Sequence, residues 1–281
     1  GGYIGIHTGL LLATANESEL AGVLAHEISH VTQRHISRAV FANQNASTLS
    51  MAALLGAILV GVATGANPEL IQGAISATQG MAIEQQIGFT RSNEYEADRV
   101  GIGVLADAGF NPMGMTNFFE TMGRQTGSLD SNKAPEFLLT HPVSADRMAE
   151  SRARARQLPA VDVIDSNGYE LARARIRLLT SSRPEIALEQ FRQMQESRIN
   201  SDSLEIDYGI SIANAQLGND KQAERQLAIL LASNEEVIQI HSALAVTQAN
   251  LGNMDQALET FEHAMKLFPR NIPLTVRYCE I

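Results

Sequence analysis

The sequence has no tryptophan, a single cysteine (Cys279) and no run of lysines or arginines. One cysteine excludes an internal disulfide and leaves the redox compartment open. The arginines are scattered, as at Arg147, Arg152, Arg154 and Arg156, and the formal net charge is −10. This excludes the clustered basic footprint of a nucleic-acid-binding protein, so no nucleic-acid partner is expected. Aromatic residues are scarce at 5%, whereas Ala, Leu, Ile, Gln and Glu are plentiful, so helix should outweigh strand. The chain also lacks an initiating Met and starts at Gly1-Gly2-Tyr3. An upstream part is therefore expected, and any signal peptide would lie there. Asn271 to Ile281 reads as the first half of a helix with no cap, which suggests a further part downstream.

What is present is an ordinary globular composition, 44% apolar and 19% charged, on 281 residues, enough for two domains. Tyr3 to Leu10 has the β-branched and aromatic content of a short strand or hairpin. Asn16-Glu17-Ser18-Glu19 reads as a helix start, with Asn16 as N-cap and Glu19 in capping-box position. Leu20, Val23, Leu24, Ile28 and Val31 recur at helical spacing, which predicts one buried face and a helix reaching about Arg38.

Ala39 to Pro68 contains no charged residue, and Met51 to Ala66 is rich in Leu, Ile, Val, Ala and Gly. A transmembrane helix needs ~20 apolar residues. This run is shorter and interrupted by glycine, so it reads as a buried or partly exposed helical hairpin. Peripheral contact with a membrane surface is the second reading and a true span the third. A long helical pattern follows from about Glu69 to Ala108, with a break expected near Gly88 and an end at Gly109 before Asn111-Pro112. Met113 to Arg124 reads as another helix and Thr126 to Pro135 as a polar loop. A further helix opens at Ser144.

Near Pro159 the character changes to continuous amphipathic helix with an internal repeat. Leu217-Gly218-Asn219 recurs as Leu251-Gly252-Asn253, and Ala223 as Ala257, both at an offset of 34 residues. A weaker copy places Ala187 opposite Ala223. This period, with glycine at the turn and alanine at the helix crossing, is similar to a tetratricopeptide repeat, whose stacked helix pairs bind partners. The expected organisation is a first domain over 1–158 and helical repeats over 159–281.

The chemistry-bearing residues lie in the first part. In His26-Glu27-Ile28-Ser29-His30, the histidines are just over one helical turn apart, so both imidazoles project from one face and suit a single zinc ion. Glu27 is placed to take a proton from water at that ion. A third ligand is required. The chain has Gln33 and Ile36 where a metzincin would have Gly and His, which excludes that class and leaves His35 as a solvated or supporting histidine. Glu94-Tyr95-Glu96-Ala97-Asp98 offers a carboxylate at Glu94 and, one turn later on the same face, Asp98 to orient a ligand histidine. By itself that segment would equally suit a solvated acidic helix face.

Taken together, His26-Glu27-Ile28-Ser29-His30 and Glu94 to Asp98 resemble the M48 peptidases, gluzincins whose second motif is ExxxD. Leu139-Thr140-His141-Pro142 and the repeats resemble the bacterial members that carry tetratricopeptide repeats. The resemblance implies a mainly α fold, a gluzincin-type metalloprotease domain followed by a repeat α-solenoid. It implies one zinc ion held by His26, His30 and Glu94, with Glu27 as general base and Asp98 supporting a ligand. It also implies that His141 can take the ion's fourth position and hold the enzyme latent. Arg147 is a candidate for oxyanion stabilisation. The implied setting is the periplasm, with unfolded or misassembled proteins as substrates and the outer-membrane barrel assembly machinery as partner. The alternative is a repeat scaffold or chaperone with a structural or latent zinc site.

Overall fold

The computed structural model describes residues 4–42, 68–127, 141, 143–197 and 203–281, with positions 44, 51, 52, 55, 56 and 59. Most of Met51 to Ala66, positions 128–135 of the expected loop, and Leu139, Thr140 and Pro142 lie outside these residues. The described positions of the apolar stretch include Met51, Leu55 and Leu59, which are helical and exposed. Among the described residues the fold is helical with no strand, and no helix is long and apolar enough to cross a membrane. The chain divides into two compact units, Gly1–Val163 and Ile164–Ile281.

The first unit opens differently from the strand expected over Tyr3 to Leu10. Tyr3 lies outside the described residues, and Thr8–Ala13 forms a short helix, α1, capped by His7, whose Nδ1 accepts from the Gly9 N–H at 3.1 Å. β-Branched content favours a strand only where another strand offers pairing. Here none does among the described residues, and the leucine-rich turn instead packs Leu10 and Ala13 against the core.

Helix α2 spans Glu17–Thr32. Asn16 accepts from the Glu19 N–H at 3.0 Å, and Glu19 Oε2 accepts from the Ala15 N–H at 2.8 Å, so two otherwise unpaired donors are satisfied reciprocally. The helix stops earlier than Arg38. Arg34 has φ of 55°, a left-handed turn, and a separate helix α3 resumes over 35–42. The buried face is also rotated from the expected one. Gly22, Val23, Ala25, His26 and Ser29 are buried, whereas Ile28 and Val31 are exposed.

Helix α4, Pro68–Asp107, is continuous through Gly88. One interior glycine costs only about 1 kcal/mol relative to alanine, less than stopping a helix and re-capping two new ends. Its carboxyl-terminal half crosses α2 closely. A Cβ on Gly101 would lie 3.1 Å from the His26 backbone nitrogen and 2.8 Å from Met115 Cε, so a side chain here would displace Met115 and press α2 and α4 apart. Helix α5 follows at Gly114–Gly127, starting one residue and ending three residues later than expected, and α6 at Ala145–Ala155 with Ser144 as N-cap. Val23, Ile102, Leu105, Met115, Phe118, Phe119 and Met122 form the core that fixes α2, α4 and α5 together.

The second unit is a series of helix pairs: α7 (Asn167–Thr180) with α8 (Pro184–Ser197), α9 (Leu204–Gln216) with α10 (Asp220–Ser233), and α11 (Ile238–Asn250) with α12 (Met254–Leu267). A last helix, α13, spans Ile272–Glu280 and is capped by Asn271, which accepts from the Leu274 N–H. Ala187, Ala223 and Ala257 are wholly buried at equivalent crossings. Gly218 and Gly252 have φ of 77° and 81°. Each lets the following asparagine N–H close the preceding helix at 2.9 Å, Asn219 to Asn214 O and Asn253 to Gln248 O. The first helices of the pairs, with α13, line a groove of about 760 Å³. Arg175 and Arg277 are among its lining residues, and among the described residues no Asp or Glu lines it.

Candidate metal centre

Two helices build the centre. On α2, the i, i+4 spacing puts the Nε2 atoms of His26 and His30 only 3.0 Å apart. On α4, Glu94 reaches them from the other side, its Oε2 3.5 Å from His26 Nε2 and its Oε1 3.3 Å from His30 Nε2. The described residue His141 adds a third imidazole, with Nδ1 3.1 Å from Glu94 Oε2 and Nε2 3.5 Å from Glu27 Oε1. One ligand atom from each of His26, His30, Glu94 and His141 lies within 4.8 Å of all the others. Imidazole nitrogens and a carboxylate oxygen at such spacing make a donor set that fits one zinc ion.

Around these atoms lies a layer of hydrogen bonds. His26 is wholly buried and turns its Nδ1 to Asp98 Oδ1 at 2.9 Å. Asp98 in turn accepts from Arg147 in a bidentate pair, Nε to Oδ2 and Nη2 to Oδ1, both at 2.8 Å. The remaining guanidinium nitrogen, Nη1, stands 3.0 Å from Glu94 Oε2. Arg147 is 3% exposed and lies over the Phe119 ring. The guanidinium is committed to two carboxylates behind the ligand atoms, where it holds them in place.

The electrostatics follow from burial opposed by pairing. Burial disfavours a charged imidazole at His26, yet the carboxylates of Asp98 and Glu94 outweigh it and push its pKa up to about 9. Burial likewise opposes ionisation of Glu94, but His141, His26 and His30 hold it well below the usual carboxylate range. Asp98 is lowered too, because His26 and Arg147 outweigh its burial. The two carboxylates are thus ionised, as metal-binding or metal-orienting groups must be.

His35 is neither solvated nor distant. It is 3% exposed, and its Nδ1 lies 2.9 Å from His30 Nδ1. On its far side Nε2 is 3.4 Å from Glu96 Oε2, which Arg38 Nη1 also reaches at 2.9 Å. Sequence reasoning missed Glu96 and Arg38 because nothing in Gln33-Arg34 marks the turn that brings α3 back against α4.

The comparisons with known proteins agree on the family. The profile of the family described as "Peptidase family M48" matches residues 1–155. The chain is 43% identical over 176 residues to a beta-barrel assembly-enhancing protease of Yersinia pestis, covering 63% of the chain and 35% of that protein. It is 35% identical over 234 residues to the protein of the same name from Escherichia coli, covering 83% of the chain and 47% of that protein. It is also 31% identical over 153 residues to the mitochondrial metalloendopeptidase OMA1 of Saccharomyces cerevisiae, covering 53% of the chain and 39% of that protein. The chain therefore spans less than half the length of each of these relatives.

Proposed function

The chain belongs to peptidase family M48, and from that premise we propose that its first unit is a zinc-dependent endopeptidase. The observation that carries the reading is the convergence of His26, His30 and Glu94 on one point, beside the Glu27 carboxylate. His26 Nε2, His30 Nε2 and one Glu94 oxygen would hold the ion. When bound, zinc supplies Lewis acidity toward a peptide carbonyl and an attacking water.

The chain's own groups do the rest. Glu27 accepts the proton of the attacking water and returns it to the leaving amine. Asp98 accepts from His26 Nδ1–H, which keeps Nε2 free to face the ion. Arg147 fixes Asp98 and one Glu94 oxygen, leaving the other Glu94 oxygen available. Glu27→Gln keeps shape and removes the base, so cleavage of an unfolded protein should fall by roughly 10²–10⁴-fold. Zinc content should stay at one ion per chain. Undiminished cleavage by that variant would remove the mechanism.

The second unit, on this reading, is a stack of tetratricopeptide repeats that holds protein partners. The 34-residue period and the buried alanines at each crossing support it. Its groove suits an extended segment carrying acidic groups, because two arginines and, among the described residues, no acidic side chain line it. By analogy with the relatives named for barrel assembly, the substrates would be unfolded or misassembled outer-membrane proteins in the periplasm. The assembly machinery itself would be the partner of the repeats.

One observation favours a second state. His141 stands against both Glu94 and Glu27, where it competes with water and substrate. This contact supports the reading of a latent enzyme that binds partners without cutting them.

A further inference from the structure

We infer that His35 is a positioning residue for the metal centre, the counterpart for His30 of what Asp98 is for His26. The inference rests on the zinc reading above. An imidazole that binds a metal through one nitrogen presents a proton on the other, and that N–H needs an acceptor to fix tautomer and ring plane. His26 has Asp98 at 2.9 Å. For His30 the group at that place is the Nδ1 of His35, also at 2.9 Å.

The proton assignment follows from the geometry. His30 Nε2 faces His26 and Glu94, so it must be bare to hold a metal, and the His30 proton sits on Nδ1. His35 Nδ1 must then be the acceptor, which puts its own proton on Nε2, toward Glu96 Oε2 at 3.4 Å. Arg38 holds the same oxygen at 2.9 Å. On this assignment His30 donates to His35, and the Glu96 carboxylate stands beside the buried Nε2 without closing a hydrogen bond to it.

The backbone is shaped for this contact. Were α2 to continue, position 35 would be rotated by about 140° from His30 around the helix axis and could not reach its ring. The left-handed turn at Arg34, φ 55°, ends α2 and returns His35 to it. On α4, successive acidic residues then divide the work: Glu94 faces the ligand nitrogens, Asp98 braces His26, and Glu96, on another flank, braces His35.

The test is zinc affinity of the full chain, measured by competition with a chromophoric chelator. Partners of this kind are worth roughly 10–100-fold in metal affinity. His35→Leu, which keeps the volume and removes both nitrogens, should lose that much. His35→Gln, whose amide can accept from His30 and donate to Glu96, should keep affinity within a few-fold of the parent. In chelator-treated protein, ¹⁵N shifts of the His30 ring should report a single Nδ1–H tautomer in the parent and a mixture in His35→Leu. Parent-like affinity in His35→Leu would overturn the inference. So would an equal loss in both variants, which would mark a packing role only. Failure of the zinc reading looks different: the parent chain would bind no zinc, or His30→Ala would bind as tightly as the parent.

Discussion

Asp98 joins His26 to Arg147: one carboxylate takes the histidine nitrogen at 2.9 Å and both guanidinium donors at 2.8 Å, with all three side chains nearly closed to solvent. Breaking such a buried pair leaves its partner charged and uncompensated, at a cost of about 3–5 kcal/mol. Asp98→Ala should therefore lower unfolding free energy by about that amount, because Arg147 loses its bidentate partner. Asp98→Asn keeps an acceptor for His26 and should cost less. Urea unfolding of the chelator-treated variants measures both, and an unchanged midpoint for Asp98→Ala would show that the pair contributes nothing net.

A pH dependence follows from His26 in the metal-free protein. Its pKa is raised from 6.5 to about 9, so its protonated form is favoured by folding. The stabilisation is full below 6.5 and is lost as pH rises through about 9. Between about pH 6 and about pH 10, chelator-treated protein should lose on the order of 3 kcal/mol of stability. Glu94 acts in the opposite sense: its lowered pKa gives stability present above its ordinary 4.5 and lost as pH falls. Zinc-loaded protein requires unprotonated His26, so its stability should not show the alkaline loss. Parallel curves for the two forms would exclude the coupling.

His141 differs from the other histidines in its position, in contact with Glu94 and with Glu27 at once. On the proposed reading, removing it would free the Glu27 carboxylate and leave the place beside Glu94 open to water. His141→Ala should increase cleavage of an unfolded protein at equal zinc content, through kcat more than KM. Lower or unchanged turnover would eliminate the latent state while leaving the other ligands in place.

Much of this arrangement was legible where the determining interactions are local. Asn16 and Glu19 cap α2 as their spacing predicts, because a cap is a matter of three or four residues. His26 with His30, and Glu94 with Asp98, share helix faces by simple periodicity. The expected strand at Tyr3 to Leu10 failed because pairing depends on a partner that the local sequence does not supply. The turn at Arg34 was illegible for another reason. No glycine, asparagine or proline marks it, and its left-handed conformation is held by what His35 meets afterwards, on α4 and at His30. The partner of Arg147 was illegible for the same cause, since Asp98 lies 49 residues away in sequence.

The groove of the second unit gives the last prediction. Arg175 on α7 and Arg277 on α13 are exposed, and the surface between them is lined by Tyr208, Ile212, Val246 and Leu274, among others. An extended peptide gains from the apolar floor regardless of charge, but acidic side chains gain further from Arg175, and less from Arg277, which already pairs with Glu280 at 3.1 Å. Reversing one end, as in Arg175→Glu, should weaken binding of an unstructured acidic peptide by about 3- to 10-fold in dilute buffer. Raising the ionic strength should shrink the difference, because exposed charges are screened within about 10 Å at 0.1 M salt. Fluorescence anisotropy at two salt concentrations measures both effects. A neutral peptide of the same length provides the control, and it should bind parent and variant alike. If the acidic and neutral peptides respond equally to the reversal, the arginines do not select the partner, and shape alone recruits it.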